Sequence, residues 1–234
     1  MPNPYFSFKQ FTVFHDKCAM KVGTDGVLSG TWADVSGCKT ILDVGSGSGL
    51  IALIAAQRSD AHVDAVEIDN DAYLQSVENI NNSPWNDRIS VYHASFTDYC
   101  EQTDKKYDLI VSNPPYFSGS LLPPDNKRQL ARHDHALSLR VLIAGSLNLL
   151  TDNGRISLIL PVSAESELHK IIASVHLFPK RITRVKPTPT SSSKRILIEL
   201  SRKKSDFEEN ELIIEIGRHH YSEAFKMLTK DFYR

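Results

Sequence analysis

Residues 40–58, TILDVGSGSGLIALIAAQR, join a short β-branched run to a longer apolar run through a segment with glycine at every second position. The first run is typical of a strand buried on both faces, and the second of a buried helix. Gly45, Gly47 and Gly49 stand between them, where glycine lets the backbone approach a ligand and a helix start offers free N–H groups. The stretch therefore predicts a strand, a ligand-binding turn and a helix, the repeating unit of a parallel α/β sheet.

The same alternation of strand-like and helical runs continues along the chain. Strands are predicted at 40–44, 62–68, 88–92, 107–112, 155–160, 180–185, 195–200 and 211–216. Helices are predicted at 25–35, 50–58, 71–82, 137–150, 163–175 and 221–233. This order predicts a doubly wound, mostly parallel α/β sheet, and the last strands, which lack intervening helices, predict an antiparallel edge strand. Because ligands of such sheets bind beyond the carboxyl ends of the strands, functional residues are expected directly after strands.

Length and composition limit the classes of protein that this sequence allows. The 234 residues suffice for one sizeable core. We expect a single domain over 1–234, made of an N-terminal extension, a core and a C-terminal strand and helix, at 1–39, 40–200 and 201–234. The cysteines form no CxxC pair, which argues for reduced thiols in the cytoplasm and against a disulfide framework. We find neither a signal peptide nor an apolar run long enough to span a membrane.

One segment of this near-neutral chain is strongly basic. Residues 180–204 hold nine basic residues and one acidic residue, whereas the net charge of the whole chain is −1. Such a segment indicates either one face that meets a polyanion or charges that solvate edge strands and loops. The segment alone favours neither interpretation over the other.

The glycine pattern distinguishes between two kinds of nucleotide cofactor. A dinucleotide fingerprint, GxGxxG, requires glycine where this chain has Leu50. Asp43 followed by GxGxG instead resembles the first motif of S-adenosylmethionine-dependent methyltransferases. The resemblance implies a Rossmann-like, seven-stranded sheet and S-adenosyl-L-methionine as the cofactor. Glu67 ends the second strand, where a carboxylate can accept both hydroxyls of a ribose. That superfamily often carries an acid after the third strand for the adenine amino group. This chain has Ser95 there, with Asp98 three residues later, and we expect a backbone N–H of this turn and Phe96 to serve instead.

A second motif, Asn-Pro-Pro-Tyr, ends the fourth strand, because proline cannot continue a strand ladder. The lone pair of an exocyclic amine is delocalised into the adjacent ring or carbonyl. Methylation therefore requires hydrogen-bond acceptors that draw both N–H bonds out of the plane of that group, so that the lone pair faces the methyl group. The Asn113 side-chain oxygen and the Pro114 carbonyl supply two acceptors at a fixed spacing, and Tyr116 offers a ring on which the planar group stacks. No strong general base is required, since most of the rate comes from positioning. The motif resembles the signature of amino-methyltransferases, which act on adenine N6, cytosine N4, guanine N2 or a glutamine amide.

Four stretches resemble one family within this group, the bacterial tRNA adenine-N6 methyltransferases that act beside the anticodon of a valine tRNA. They are residues 6–35, ENINNSPWNDRI (78–89), SNPPYF (112–117) and YSEAFKMLTKDFY (221–233). The resemblance implies that the substrate is adenine 37, an unpaired base of the anticodon loop that is cheaper to extrude than a paired one. Lys21 and Thr24 match the N-terminal segment that closes over the cofactor in that family.

Basic residues outside the two motifs are candidates for contacts with RNA phosphates. They are Lys127, Arg128, Arg132, Lys194 and Arg195. We expect no metal, because His133 and His135 have no third ligand at a suitable spacing. The residues themselves leave open an rRNA or a protein glutamine as the methyl acceptor, and an RNA-binding scaffold on a degenerate methyltransferase fold. The sequence predicts no oligomeric state.

Overall fold

The computed structural model describes residues 3–115 and 137–233. The strands are β1 Tyr5–Ser7, β2 Thr12–Phe14, β3 Thr40–Val44, β4 His62–Glu67, β5 Ile89–His93, β6 Tyr107–Ser112, β7 Leu150–Pro161, β8 Phe178–Lys186, β9 Arg195–Ser201, β10 Glu208–Ile213, β11 Glu215–Gly217 and β12 His220–Tyr221. The α-helices are α1 Thr24–Trp32, α2 Leu50–Arg58, α3 Asn70–Asn81, α4 Phe96–Gln102, α5 Leu139–Leu149, α6 Glu165–Ser174 and α7 Glu223–Thr229. A 3-10 turn, Val162–Ala164, precedes α6.

Strands β3 to β10 form one central sheet in the order β10-β8-β9-β7-β6-β3-β4-β5. The pairs from β5 across to β7 are parallel. Helices cover both faces: α4, α5 and α6 bury one face around Leu142, and α1, α2 and α3 bury the other around Leu53. Helix α7 joins α1 over β7 to β10, where Phe225 and Leu28 are buried. The predicted doubly wound, mostly parallel α/β fold is confirmed. No helix among the described residues combines the length and hydropathy of a membrane span.

The reversed strand lies inside the sheet, so the expectation of an antiparallel strand at the edge is wrong. Strand β9 runs antiparallel to both of its neighbours, β7 and β8, and β10 pairs in parallel with β8 as an eighth strand, one more than expected. Side-chain burial explains the order. The residues Ile196–Leu200 are buried on both faces of β9, as an interior strand requires. The first four residues of β10 are exposed acids and an asparagine, which suit a solvated edge.

The remaining differences from the predicted elements concern short segments. The closing helix was expected over 221–233 but spans only Glu223–Thr229, because the Ser222 side chain caps it by accepting the Phe225 N–H at 3.1 Å. The strand expected at 211–216 is interrupted at Ile214, where the chain leaves the sheet edge for β11. The three-residue strands β1 and β2 and the seven-residue helix α4 are too short to show a hydrophobic period, and the pattern did not predict them.

Candidate active site

The turn between β3 and α2 is formed by three glycines in the left-handed region. Gly45, Gly47 and Gly49 have φ values of 73°, 55° and 78°, which residues with a side chain rarely adopt. A Cβ built on Gly45 or Gly47 meets no atom within 4 Å. The loop is therefore open to a ligand on that side, as a cofactor that approaches backbone N–H groups requires.

Asp43 lies next to this loop and is fully buried. Its Oδ2 accepts the Ala52 N–H at 3.1 Å, while Oδ1 has no hydrogen-bond partner among the described residues. Burial raises the pKa of Asp43 to about 7, and the Ala52 hydrogen bond offsets only part of this effect. A buried carboxylate oxygen without a donor from the chain is suited to accept from a bound water or from the cationic N–H group of a ligand. The ammonium group of S-adenosyl-L-methionine is such a cationic group.

Glu67, at the end of β4, fixes the glycine loop from the neighbouring strand. One carboxylate oxygen accepts the Gly47 N–H at 2.7 Å, and the other accepts the Asp69 N–H at 2.9 Å. A carboxylate has about four acceptor positions, so two hydrogen bonds leave capacity for a ribose diol. Asp69 caps α3 by accepting the Ala72 N–H at 3.0 Å.

The ends of β3 and β6 bring the two sequence motifs together. Val44 pairs with Ser112 in the parallel ladder, and the buried Ser112 hydroxyl donates to the Val44 carbonyl at 2.7 Å. The next residue on each strand is Gly45 and Asn113, so these two leave the sheet about one strand spacing apart, ~4.8 Å. Asn113 is half-buried and Pro114 is buried. The two predicted acceptors for the substrate amine, the Asn113 side-chain oxygen and the Pro114 carbonyl, form the amine clamp. This clamp thus begins beside the predicted cofactor loop.

Ser95 and Phe96, the residues expected at the adenine, lie at the start of α4. The Ser95 hydroxyl oxygen caps that helix by accepting the Asp98 N–H at 3.0 Å, which leaves its own proton free to donate. Phe96 is buried in the core beneath α5, where a Cβ on Gly145 would lie 2.6 Å from its ring. Both residues follow β5 at the carboxyl edge, but the Phe96 ring mainly serves packing.

Lys21 and Thr24 are both exposed at the start of α1. Helix α1 reaches the cofactor loop through Gly26, where a Cβ would approach the Leu50 side chain to 3.0 Å. Leu50 directly follows the glycine loop, so Gly26 packs against the end of that loop. Thr24 is two residues before Gly26 and lies within the same helical turn. The structure therefore brings the N-terminal candidates to the same edge as the two motifs.

Asn79 was not predicted as a site residue, yet it joins the N-terminal segment to the glycine loop. Its side-chain oxygen accepts the Phe14 N–H at 2.8 Å, and its amide donates to the carbonyls of Phe14 and Ser48 at 2.8 and 2.9 Å. Asn79 is 1% exposed. The only signal in the sequence is a polar pair one turn apart, Gln75 and Asn79, and such a pair is equally compatible with an exposed stripe.

We expect Asn79→Ala to weaken cofactor binding about tenfold and to lower the free energy of unfolding by about 2–3 kcal/mol. The reason is that it leaves buried backbone groups of Phe14 and Ser48 without partners. Calorimetric titration with S-adenosyl-L-methionine and urea unfolding measure the two effects. Asn81→Ala, at an exposed position of the same helix, is the matched control. Equal behaviour of the two variants would contradict the assigned role.

Comparisons with known proteins agree with this geometry. Residues 22–177 match the family described as "Methyltransferase small domain". A protein of Parabacteroides distasonis named tRNA1(Val) (adenine(37)-N6)-methyltransferase is 53% identical over 234 residues, which cover 100% of this chain and 99% of that protein. The protein of the same name from Christiangramia forsetii is 51% identical over 237 residues, again 100% of this chain and 99% of that protein. The chain belongs to the tRNA1(Val) (adenine(37)-N6)-methyltransferase family.

Membership of this methyltransferase family confirms the predicted enzyme class and its cofactor, S-adenosyl-L-methionine. Solved structures support the fold. A "predicted O-methyltransferase" from Agrobacterium tumefaciens superposes with a TM-score of 0.70 at 22% identity, covering 89% of this chain and 96% of that one. A ribosomal protein L11 methylase from Lactobacillus delbrueckii gives a TM-score of 0.54 at 21% identity, covering 76% and 77%.

In this member of the tRNA1(Val) (adenine(37)-N6)-methyltransferase family, the basic segment 180–204 does not form one face. Strand register places Arg195 opposite Pro161 and Val185, at the carboxyl edge, and places Ser201 opposite Phe178 at the other edge. Several of its cations are paired within the protein: Arg181 with Glu199, Arg184 with Glu165 and Glu209, Lys186 with Glu211, and Arg195 with Asp25. The segment therefore does not form one continuous basic face: Lys186, Lys194 and Arg195 lie at the active-site edge, where Lys186 and Arg195 are paired with acids.

Some predicted residues fall outside the part of the chain that the structure describes. They are Tyr116, Lys127, Arg128 and Arg132, together with the histidines at 133 and 135. Among residues 3–115 and 137–233, no group of three or more His, Cys, Asp or Glu side chains is arranged to hold a metal ion.

Proposed function

We propose that this protein transfers a methyl group from S-adenosyl-L-methionine to the exocyclic N6 of adenine 37, beside the anticodon of tRNA1(Val). The names of relatives that are 53% and 51% identical over the whole chain support the substrate. The observation that carries the proposal is the pairing of Val44 with Ser112. Because of this pairing, a cofactor loop and an amine clamp start on adjacent strands.

In the proposed reaction, the chain itself positions the amine. The Asn113 side-chain oxygen and the Pro114 carbonyl each accept a hydrogen bond from one N–H group of the amine, so that the nitrogen lone pair faces the methyl group. Bound S-adenosyl-L-methionine supplies that methyl group from a sulfonium. Tyr116 stacks on the adenine ring. The proton on nitrogen becomes acidic only after transfer, so positioning rather than a strong base supplies most of the rate.

The cofactor is held, in this proposal, by residues at the carboxyl ends of β3, β4 and β5. Asp43 accepts from the ammonium group, Glu67 accepts from the ribose hydroxyls, and the backbone of the glycine loop lies against the methionine part. Thr24, at the start of α1, binds the methionine carboxylate, and Lys21, three residues earlier, binds that carboxylate or an RNA phosphate. Ser95 and Asn113 complete the site around the adenine and the sulfonium, and Phe96 supports it from the core. Free thiols at Cys18, Cys38 and Cys100 support a protein that works in the reducing cytoplasm.

The proposed contacts with RNA are made by positively charged side chains. Lys194 and Arg195 lie at the carboxyl edge, and Lys127, Arg128 and Arg132 follow the Asn-Pro-Pro-Tyr motif in the sequence. We assign these cations to phosphates of the anticodon stem and loop, which position the RNA without reading its sequence. An unpaired loop base then enters the clamp at a lower cost than a paired one.

Labelled S-adenosyl-L-methionine offered separately with total tRNA, ribosomes and release factors tests the proposal. We expect label in tRNA, and in a tRNA1(Val) transcript with adenine at position 37 but not in one with guanine there. Label confined to ribosomal RNA or to protein would overturn the proposal and favour another amine. Absence of cofactor binding in a calorimetric titration would point to a scaffold.

A further inference from the structure

The hairpin of β11 and β12 stands at the same edge of the sheet as the active site, beyond its outermost strand. Its base is joined to the end of β8 by two backbone hydrogen bonds, Ile214 N–H to the Lys186 carbonyl and Glu215 N–H to the Pro187 carbonyl, both 2.9 Å. The end of its second strand is fixed by the Ser222 N–H, which donates to the Ile214 carbonyl at 2.9 Å. The hairpin is therefore held in a defined position on the carboxyl edge.

The tip of this hairpin presents positive and polar side chains to solvent. Arg218, His219 and His220 are all exposed. His219 adopts a left-handed φ of 62°, which turns the chain at the tip. Ile216, 63% exposed, adds an apolar contact surface beside them. Within the described residues, the Arg218 guanidinium makes no ion pair, in contrast to Lys186 and Arg195 on the neighbouring strands.

The loop between β8 and β9 runs from the base of the hairpin to β9, one strand closer to the active site. It runs from Pro187 to Lys194, carries a series of threonine and serine hydroxyls, and ends in the exposed Lys194. Four strand spacings separate β10 from β6 in the sheet order, which corresponds to roughly 19 Å between the start of the hairpin and the Asn113 clamp. Lys194 and Arg218, which make no ion pair within the described residues, thus lie on an edge that extends well past the reacting base.

We propose that the hairpin 215–221, together with the loop 187–194, binds the RNA backbone several nucleotides away from the methylated adenine. Arg218 donates to a phosphate, and Lys194 contacts a second phosphate nearer the clamp. Phosphate contacts of this kind set the register of an RNA on a protein. This inference rests on the proposed function and assigns it a surface outside the cofactor and amine sites.

Arg218→Glu tests this surface, with Lys204→Glu as a control that makes the same change in charge. Lys204 is exposed and follows the end of β9, at the opposite edge of the sheet. We expect Arg218→Glu to raise the KM for tRNA about tenfold and to reduce the slope of log affinity against log salt by about 1. The Kd for S-adenosyl-L-methionine stays unchanged. Lys204→Glu leaves all three quantities as in the wild type, and Arg218→Lys restores most of the tRNA affinity.

The outcomes separate this inference from the proposed function. If the wild type methylates tRNA and Arg218→Glu matches Lys204→Glu in KM and salt slope, RNA binding by the hairpin is refuted and the proposed function stands. If the wild type neither methylates nor binds tRNA, both are refuted. A change in oligomeric mass by Arg218→Glu without a change in KM for tRNA would assign the hairpin to contacts between copies of this chain, which also overturns the inference.

Discussion

Asn113→Ala is expected to lower the rate of methyl transfer about 10²- to 10³-fold at saturating tRNA and cofactor. The substitution removes one of two acceptors that orient the amine, and the loss of one preorganised hydrogen-bonding group at a reaction centre typically costs this much. Fold stability is expected to change little, because Asn113 is only half-buried and lies beyond the end of β6. Single-turnover transfer from labelled S-adenosyl-L-methionine measures the effect free of product release.

Asn113→Asp distinguishes the proposed role from simple loss of structure. Aspartate keeps an oxygen acceptor at the same place, so we expect this variant to retain much more activity than Asn113→Ala. The Kd for S-adenosyl-L-methionine should rise no more than severalfold in either variant. Equal loss of transfer in both variants, or undiminished transfer in Asn113→Ala, would remove Asn113 from the clamp.

Asp43→Asn is expected to weaken S-adenosyl-L-methionine binding on the order of 100-fold while stabilising the free protein at pH 8. The two effects have one cause, which is a buried carboxylate whose Oδ1 lacks a donor. The ligand's ammonium group supplies the missing charge, and removing one partner of a buried charge pair costs several kcal/mol. In the wild type, affinity should also fall as the pH drops below 7, because protonation removes the charge that binds the cation.

The effect of Asp43 on stability has the opposite direction from that of most carboxylates. Its pKa is about 7 in the folded protein, against an ordinary 3.8. The unfolded chain therefore releases this proton at a lower pH, and the free energy of unfolding falls as the pH rises from about 4 to about 7. The full penalty, on the order of 4 kcal/mol, applies at pH 8. Asp43→Asn should recover part of it, and its advantage over the wild type should vanish near pH 4.

Asp64→Asn is the matched control, since it makes the same substitution at a second buried aspartate. Asp64 accepts from Tyr107 at 2.6 Å and from Lys105 at 2.7 Å, so its charge is already compensated. We expect this variant to lose stability and to keep its cofactor affinity. Urea unfolding at pH 5 and pH 8, with calorimetric titration of S-adenosyl-L-methionine, measures both variants. A destabilised Asp43→Asn with normal cofactor affinity would refute the role given to Asp43.

The parallel half of the fold was predictable because its strands are apolar on both faces and regularly separated by helices. The run TILDV and the glycines after it identify β3 and its turn from local chemistry alone. The place of β9 was not predicted, because strand order depends on pairing between distant segments. Ile196, Leu197, Ile198 and Leu200 place apolar side chains on both faces of β9, which was nonetheless a usable signal for an interior strand.

For the candidate site, the sequence identified groups that a motif specifies and missed those that support them. Asp43, Glu67 and Asn113 follow directly from their positions at strand ends. Asn79 and Ser112 act through hydrogen bonds to the backbone of segments far away in the chain. Ser95 combines two roles that the sequence alone does not separate, because its hydroxyl oxygen caps α4 by accepting the Asp98 N–H while its proton stays free to donate.

The pairing of Val44 with Ser112 also bears on how such an enzyme can change during evolution. The distance between donor loop and acceptor clamp is fixed by the spacing of two adjacent strands in the interior of a sheet, not by the conformation of a loop. Insertions and substitutions in the hairpin 215–221 or the loop 187–194 leave that distance intact. A lineage can thus acquire or lose substrates by altering the hairpin and the loop, while the distance between cofactor loop and amine clamp is inherited unchanged.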